Sequence, residues 1–289
     1  MVDNPIVIAE IGCNHMGDMA IAKKMIHMAS YFCEVDVVKF QKRHPKELLT
    51  KEQYNSPHPM PGNSFGNTYG AHREYLEFTI DQHRQLKEYS EVENLIYSTS
   101  VWDLTSAKEI VGLNPVQIKI PSAVNLNFEV LEYLAVNYSN EIHLSLGMTS
   151  HEEEEEIVEF FSKKGRIRDI VLYACTSGYP VPFDDLSLLE ISRIKRKFEN
   201  DVKAIGFSGH HSGISMDVAA VTLGAKYIER HFTLNRTWKG TDHAASLEPD
   251  GMRRLARDLR NTVRALKYKD KEILDIELEQ RKKLKKIVR

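Results

Sequence analysis

No apolar run in this chain approaches the ~20 consecutive residues that a membrane-spanning helix requires. The amino terminus, MVDNPIVIAEIG, enters a strand-like pattern at once and has no basic stretch before it, so we expect no signal peptide. The three cysteines, Cys13, Cys33 and Cys175, are too few and too irregularly spaced for a disulfide framework, which favours a reducing compartment. These absences predict a cytoplasmic protein without a membrane anchor.

A strong charge of either sign is also missing. The net charge is −2 and the isoelectric point is near 6.6, so we expect no broad basic surface and no nucleic acid as a main partner. Hydrophobic residues make up 42% of the chain and charged residues 28%, as in soluble globular proteins. A length of 289 residues is sufficient for one large domain.

What the chain does contain is a repeated alternation of strand-like and helix-like patterns. Eight short runs rich in Val, Ile and Leu are each followed by apolar residues at helical spacing. These runs are 6–12, 35–41, 94–101, 116–123, 141–148, 169–176, 203–210 and 226–233. The alternation predicts an α/β fold, a (β/α)8 TIM barrel, over residues 1–267. We expect 268–289 to be a charged tail or an extra helix, and the polar stretch 42–77 to be a long loop of the functional or disordered kind.

Two histidines, His210 and His231, stand at the ends of the last two strand-like runs. Because the carboxyl ends of parallel strands form the ligand-binding face of such a barrel, we expect the two imidazoles to meet there and hold a divalent metal. The alternative is a pair of histidines that only pack or form hydrogen bonds. We expect Mn²⁺, with Mg²⁺, Co²⁺ or Zn²⁺ as alternatives, and Glu10 or Asp242 as an added carboxylate or a base.

Charged residues inside buried strands are costly unless they are paired or bind a ligand, which makes Lys39, Lys119 and Glu229 informative. Two lysines and several strand-end hydroxyls suit an anion with phosphate and carboxylate groups. The alternative for each lysine is an internal ion pair with Glu10 or Glu229. A Schiff-base lysine is a second chemical interpretation, against which the predicted metal argues because metal and imine are alternative ways to activate a carbonyl.

The sequence resembles the sialic acid synthase (N-acetylneuraminate synthase) family over nearly the whole predicted barrel. The matching motifs are AEIGCNHMGD (9–18), VVKFQ (37–41), NTYGAHREYLEF (67–78), IKIPSA (118–123), LSLGM (144–148), CTSGYPVPFDDLSL (175–188), GFSGHHSG (206–213) and LGAKYIERHFTLNRTWKGTDHAASLEP (223–249). The motifs at 67–78 and 223–249 look closest to the animal-type enzymes of this family, which use 6-phosphorylated N-acetylmannosamine.

The resemblance implies a condensation of phosphoenolpyruvate with an N-acylated hexose, giving a nine-carbon 3-deoxy-2-keto acid and phosphate. It implies that His210 and His231 hold the metal, that Glu10 lies beside the reacting centre, and that Tyr179 and Asp242 lie near the sugar. It also implies a set of residues that bind phosphoenolpyruvate, namely Lys39, Lys119, Ser122, Ser145, Ser177 and Ser208.

The chain also departs from the family pattern. Members usually carry a C-terminal antifreeze-like domain that covers the partner subunit's site, and we expect this chain to be the barrel without it. Pro121 stands where the family has Gly, and Gly209 where it has Asp. These departures leave the acceptor open to another aldose or aldose phosphate. His72 and Arg73 are candidates for holding a sugar phosphate, with an ordering role in the 42–77 stretch as the alternative.

We therefore expect a metal-dependent transferase that makes a nonulosonic, sialic-acid-like sugar acid from an N-acylated hexose or its 6-phosphate. One alternative is the same chemistry on a pentose phosphate, with an octulosonate-type product. Another is a barrel that binds sugar or phosphoenolpyruvate without turnover. We expect a homo-oligomer, a dimer or tetramer, in which the 42–77 stretch or the charged tail closes a neighbour's site.

Overall fold

Eight parallel strands close into a barrel in the computed structural model, which describes residues 4–286. The strands are β1 (Ile6–Gly12), β2 (Val37–Lys42), β3 (Ile96–Val101), β4 (Gln117–Ile120), β5 (Glu141–Ser145), β6 (Ile170–Cys175), β7 (Ala204–Gly209) and β8 (Tyr227–His231). Each strand pairs with the next in sequence, and β8 closes the ring against β1, where Glu10 lies opposite His231. The predicted (β/α)8 barrel is confirmed.

Helices surround the barrel and connect its strands. They are α1 (Met19–Tyr31), α2 (Pro45–Leu48), α3 (Lys51–Asn55), α4 (Tyr69–Leu76), α5 (Ile80–Val92), α6 (Leu104–Leu113), α7 (Phe128–Asn137), α8 (His151–Lys163), α9 (Leu189–Phe198), α10 (Ser215–Thr222), α11 (Pro249–Ala265) and α12 (Asp275–Leu284). Side-chain caps fix several of their starts. Asp18 accepts bonds from the first amides of α1, and Ser150 forms a capping box with Glu153 at the start of α8.

The polar stretch 42–77 is more ordered than the sequence analysis predicted, because it holds the three short helices α2, α3 and α4. Thr50 and Thr68 cap α3 and α4, respectively. Gly70 lets these two helices touch, since a Cβ at that position would lie 2.2 Å from the ring of Tyr54. The stretch is therefore a compact insertion on the rim of the barrel rather than a structureless loop.

Side chains alternate along each strand between the barrel interior and the surrounding helices. The outward residues, such as Val38 and Ile118, belong to the main apolar core under the helices. Near the amino ends of the strands the interior is filled by the apolar cluster of Ile8, Val37, Val171, Tyr173 and Tyr227. The inward positions closer to the carboxyl ends are polar, which places the charged strand residues at the face where barrel enzymes bind ligands.

The tail after α11 contains α12, whose side chains are largely exposed, with Ile276 at 80% and Leu284 at 73% of full exposure. The predicted domain boundary at residue 267 stays a prediction. Within residues 4–286, no helix has both the length and the apolar character needed to cross a bilayer.

Candidate active site

A cavity of about 290 Å³ opens at the carboxyl ends of the strands. Ten of the thirteen predicted site residues line it: Glu10, Lys39, Lys119, Ser122, Ser145, Ser177, Tyr179, Ser208, His210 and His231. The fold therefore brings side chains from seven strands and their following loops to one place. Asp242, His72 and Arg73 do not line this cavity.

The two lysines are buried and paired with two buried glutamates. Lys39 forms an ion pair with Glu10, the residue opposite it across β1 and β2, and donates to Ser100 Oγ at 2.9 Å. Lys119 Nζ lies 3.3 Å from Glu229 Oε2. The internal ion pairs that the sequence analysis held as the alternative are thus present, and both lysines line the cavity as well.

The pKa values in this cluster diverge. Burial raises the pKa of Glu10 although the Lys39 ammonium opposes the shift. Burial also lowers the pKa of Lys119 to about 8, despite the attraction of Glu229. Because Glu10 takes up a proton more readily than an exposed glutamate does, it is suited to donating one in a reaction.

An aromatic ring supports Lys119 from within the barrel. The Lys119 Nζ lies 3.2 Å from the centroid of the Tyr173 ring, a cation–π contact between two buried side chains. The Tyr173 hydroxyl lies 2.7 Å from His143 Nδ1, and His143 Nε2 lies 3.2 Å from Glu141 Oε2. This chain of contacts fixes the ring on which the ammonium group rests.

Serine hydroxyls line the side of the cavity opposite Glu10. Ser208 Oγ donates to Glu229 Oε1 at 3.1 Å, and Ser122 Oγ accepts from the amide of Gly147 at 3.1 Å. Gly147 is required here, because a Cβ would lie 2.5 Å from Ser177 Oγ and 2.7 Å from Ser122 Oγ. Because Gly147 has no side chain, the two hydroxyl groups can approach the backbone of the LSLGM motif.

The two predicted metal ligands lie side by side, with their ring centroids 5.5 Å apart. His210 Nδ1 lies 3.2 Å from the Thr176 carbonyl oxygen, so it carries the proton and leaves the Nε2 lone pair for a ligand. Burial, followed by the neighbouring His231, lowers the pKa of His210 to about 3, which keeps the imidazole neutral. The buried Nδ1 of His231 has no hydrogen-bond partner in residues 4–286.

Neighbouring imidazoles with nitrogen atoms left for a ligand fit a divalent cation. In the described part of the chain, no group of three or more His, Cys, Asp or Glu side chains is arranged around a metal position. Two imidazoles would therefore be the protein ligands, and the remaining coordination positions would be open to water and substrate oxygens.

A buried arginine joins the two strands that carry these histidines. Arg230, whose side chain points away from the cavity, donates to the carbonyl oxygens of His211 at 2.6 Å and Gly213 at 2.9 Å. It also forms an ion pair of 2.5 Å with the buried Asp217 of α10. Arg230 thereby holds the segment that follows His210 against the strand that ends at His231.

The remaining predicted residues lie around the cavity. His72 is buried in the insertion, where its Nδ1 accepts a bond from the amide of Phe65 at 3.1 Å, so in this structure it orders the segment. Arg73 lines a neighbouring cavity. Burial opposes the charge of Asp242, but His231, a Thr241 hydrogen bond, Arg73 and Arg43 together lower its pKa.

Other cavity residues are not among the predicted site residues. Gln41 and Ser100 continue the inward face of β2 and β3, and Glu229 does so on β8, so strand alternation alone indicates them. The sequence gives no comparable signal for Trp102, whose position depends on the loop after β3. Cys175 also lines the cavity, and burial raises the pKa of its thiol.

Comparison with known proteins places this geometry in context. The NeuB family matches residues 25–271 of the chain. The N-acetylneuraminate-9-phosphate synthase of Homo sapiens is 38% identical over 282 residues, which cover 98% of this chain and 77% of that protein. The N,N'-diacetyllegionaminic acid synthase of Campylobacter jejuni is 34% identical over 262 residues, covering 90% and 77%. The crystal structure of N-acetylneuraminic acid synthetase from Leptospira borgpetersenii superposes with a TM-score of 0.81 at 28% identity, covering 98% of this chain and 93% of that one.

Proposed function

The chain belongs to the NeuB family, and from this we propose that it condenses phosphoenolpyruvate with an N-acylated hexose or its 6-phosphate. The product is a nonulosonic 3-deoxy-2-keto sugar acid, and inorganic phosphate is released. The related synthases are named for N-acetylneuraminate 9-phosphate and for diacetyllegionaminic acid, both products of this class. The observation that carries the proposal is one cavity that brings together two buried lysines, five serines and two neighbouring histidines.

Phosphoenolpyruvate binds in the part of the cavity lined by the lysines and serines. Lys39 and Lys119 supply two ammonium groups for its carboxylate and phosphate, and the serine hydroxyls supply neutral donors. Both lysines are already held in place by Glu10 and Glu229, so binding does not have to order them. Preorganised charge of this kind stabilises the phosphate as it leaves.

The acceptor aldehyde lies on the other side, next to His210 and His231. A divalent metal bound by these two imidazoles, which we expect to be Mn²⁺, would act as a Lewis acid on the aldehyde oxygen. The Tyr179 ring, whose centroid is 4.4 Å from that of His210, covers this side of the cavity and is half-exposed toward the entrance. We expect Tyr179 to contact the sugar from the cavity wall, and a contact from Asp242, which does not line this cavity, stays a prediction.

The reaction forms one carbon–carbon bond and breaks one carbon–oxygen bond. C3 of phosphoenolpyruvate attacks the aldehyde carbon, and Glu10, the carboxyl group whose pKa is raised by burial, supplies the proton that the aldehyde oxygen takes up. Water then adds to the electron-poor C2 and gives one proton back to Glu10. The resulting tetrahedral carbon expels phosphate, which carries away the remaining hydroxyl proton and leaves the 2-keto group of the product.

The test is the release of phosphate from phosphoenolpyruvate with Mn²⁺ and either N-acetylmannosamine or its 6-phosphate. We expect release that depends on the sugar, stops with a chelator, and falls at least a hundredfold in His231→Ala. His27→Ala serves as the matched control, because His27 is half-exposed on α1, where it contacts Glu93 and Tyr31. Phosphoenolpyruvate binding without release for any N-acylated hexose would contradict the proposal.

A further inference from the structure

A second cavity, of about 270 Å³, adjoins the active-site cavity on the side of the insertion. Trp102 and Ala123 line both cavities, so the two share a wall. The rest of its polar lining comes from Arg43 after β2 and from Tyr69 and Arg73 of α4.

Arg73 brings a positive charge into this second cavity that no carboxylate neutralises at close range. Its Nε and Nη2 donate to the Tyr69 hydroxyl at 3.0 and 2.6 Å, and in residues 4–286 no carboxylate oxygen lies within 4.0 Å of it. The Tyr69 oxygen accepts both bonds, which leaves its own proton for another acceptor. Among the described residues no such acceptor is present.

Two further groups add to this set of donors. Arg43 is buried and paired with Glu77 at 2.6 Å, with its guanidinium 5.3 Å from the centroid of a Trp102 ring. The Trp102 Nε1 is buried and finds no acceptor within residues 4–286. An unneutralised guanidinium, a phenol proton and an indole N–H together suit a compact anion with several terminal oxygens.

We propose that the second cavity binds the phosphate monoester of a hexose 6-phosphate acceptor, with Arg73 as its charged ligand. This rests on the proposed function, because the aldehyde end of the same molecule must lie beside His210 and His231. The three carbons of phosphoenolpyruvate add at the aldehyde end of a hexose. A phosphate on C6 of the acceptor thus becomes a phosphate on C9 of the product, the position named for the human relative.

The anionic groups of phosphoenolpyruvate do not compete for this position, since Lys39 and Lys119 hold them in the first cavity. His72, which the sequence analysis paired with Arg73 as a phosphate ligand, is committed to the backbone of Phe65 and lines neither cavity. The phosphate site is therefore assigned to Arg73, with Tyr69 and Trp102 as neutral donors.

The test compares kcat/KM for N-acetylmannosamine 6-phosphate and for N-acetylmannosamine in the whole chain with Mn²⁺. We expect the wild type to prefer the phosphorylated sugar, and Arg73→Met to lower the ratio of the two values at least tenfold. Arg73→Lys, which keeps the charge but not the planar fork, should lower it less. Lys46→Met is the matched control, because it removes a positive charge from the outer surface of the same insertion, where Lys46 pairs with Glu74.

An unchanged ratio in Arg73→Met, or an equal loss with both sugars, would overturn the phosphate site. If no sugar supports turnover in the wild type, the proposed function fails, and the site is then judged by calorimetric binding of the 6-phosphate. Binding at least tenfold weaker in Arg73→Met than in Lys46→Met would still support the site. Equal binding would refute it.

Discussion

The ammonium group of Lys119 lies between the Glu229 carboxylate and the face of the Tyr173 ring. Three influences act on the pKa of Lys119: burial lowers it, the opposite charge of Glu229 raises it, and the like charge of Lys39 lowers it. Their net result lowers the pKa of Lys119 to about 8, so the group is mostly charged at neutral pH and loses its charge in mildly alkaline solution.

Substitution of Tyr173 tests the aromatic contact. A cation–π contact between buried groups is worth ~2 kcal/mol, so Tyr173→Leu should raise KM for phosphoenolpyruvate roughly tenfold or more. Tyr173→Phe keeps the ring and loses only the hydroxyl bond to His143, so its KM should stay within about threefold of wild type. Steady-state kinetics, with thermal melts to confirm folding, decide this. Equal effects of the two substitutions would refute a role for the ring.

Strand alternation explains most of what the sequence predicted at this scale. Glu10, Lys39, Lys119, Ser208 and His231 all point inward as expected, because a strand fixes the direction of each side chain once its bounds are known. Asp242, Trp102 and His72 lie on loops or on the insertion, where no period relates sequence position to direction. Their placement therefore could not be read from the sequence. The roles that we assign to the cavity residues stay predictions.

At the scale of elements, β7 and β8 are held together by more than the backbone hydrogen bonds between them. Arg230 contacts the backbone after β7 at two carbonyl oxygens and Asp217 on α10. The alternation that points His231 into the cavity points Arg230 away from it. One of these adjacent residues is thus the proposed metal ligand, and the other supports the strand that carries it.

Arg230→Lys tests this support. It keeps a positive charge near Asp217 but cannot reach all three acceptors, so the segment that follows His210 should lose its fixed position. Since losing the outer contacts of a metal ligand typically costs 10–100-fold in affinity, we expect the Kd for Mn²⁺ to rise about tenfold or more. Calorimetric titration with Mn²⁺ measures this without turnover. A folded variant with unchanged affinity would show that Arg230 does not position the ligand.

The strands were predicted closely and the insertion was not, for a physical reason. Each strand is a short apolar run between polar segments, and seven of the eight lie inside their predicted ranges. Helices α2 and α3 have four and five residues, too few to display a helical period. Their stability comes from caps and from contact with each other and with α4, which are tertiary effects that composition does not reveal.

At the scale of the whole molecule, buried histidines should control stability in acid. Burial lowers the pKa of His15, His83 and His210 to about 3 each, whereas an unfolded chain protonates histidine near pH 6.5. Below pH 6.5 the unfolded state therefore binds more protons, and stability falls as the pH falls. Above pH 6.5 these residues contribute no slope.

We expect the free energy of unfolding of the metal-free protein to drop by about 4 kcal/mol between pH 7.5 and 5.5, at about 1.4 kcal/mol for each of these histidines. Urea unfolding at several pH values measures this. His83→Gln removes one titrating group and should reduce the drop by about a third. A stability that stays flat down to pH 5.5 would contradict the prediction.

Because β8 closes the barrel against β1, the active site is complete only late in synthesis of the chain. Glu10 meets Lys39 on one side and His231 on the other, so the reaction centre spans the seam between the first strand to be synthesised and the last. A growing chain has every lysine and serine proposed to bind phosphoenolpyruvate before it has His231. Full assembly of the barrel is thus a precondition for the proposed chemistry.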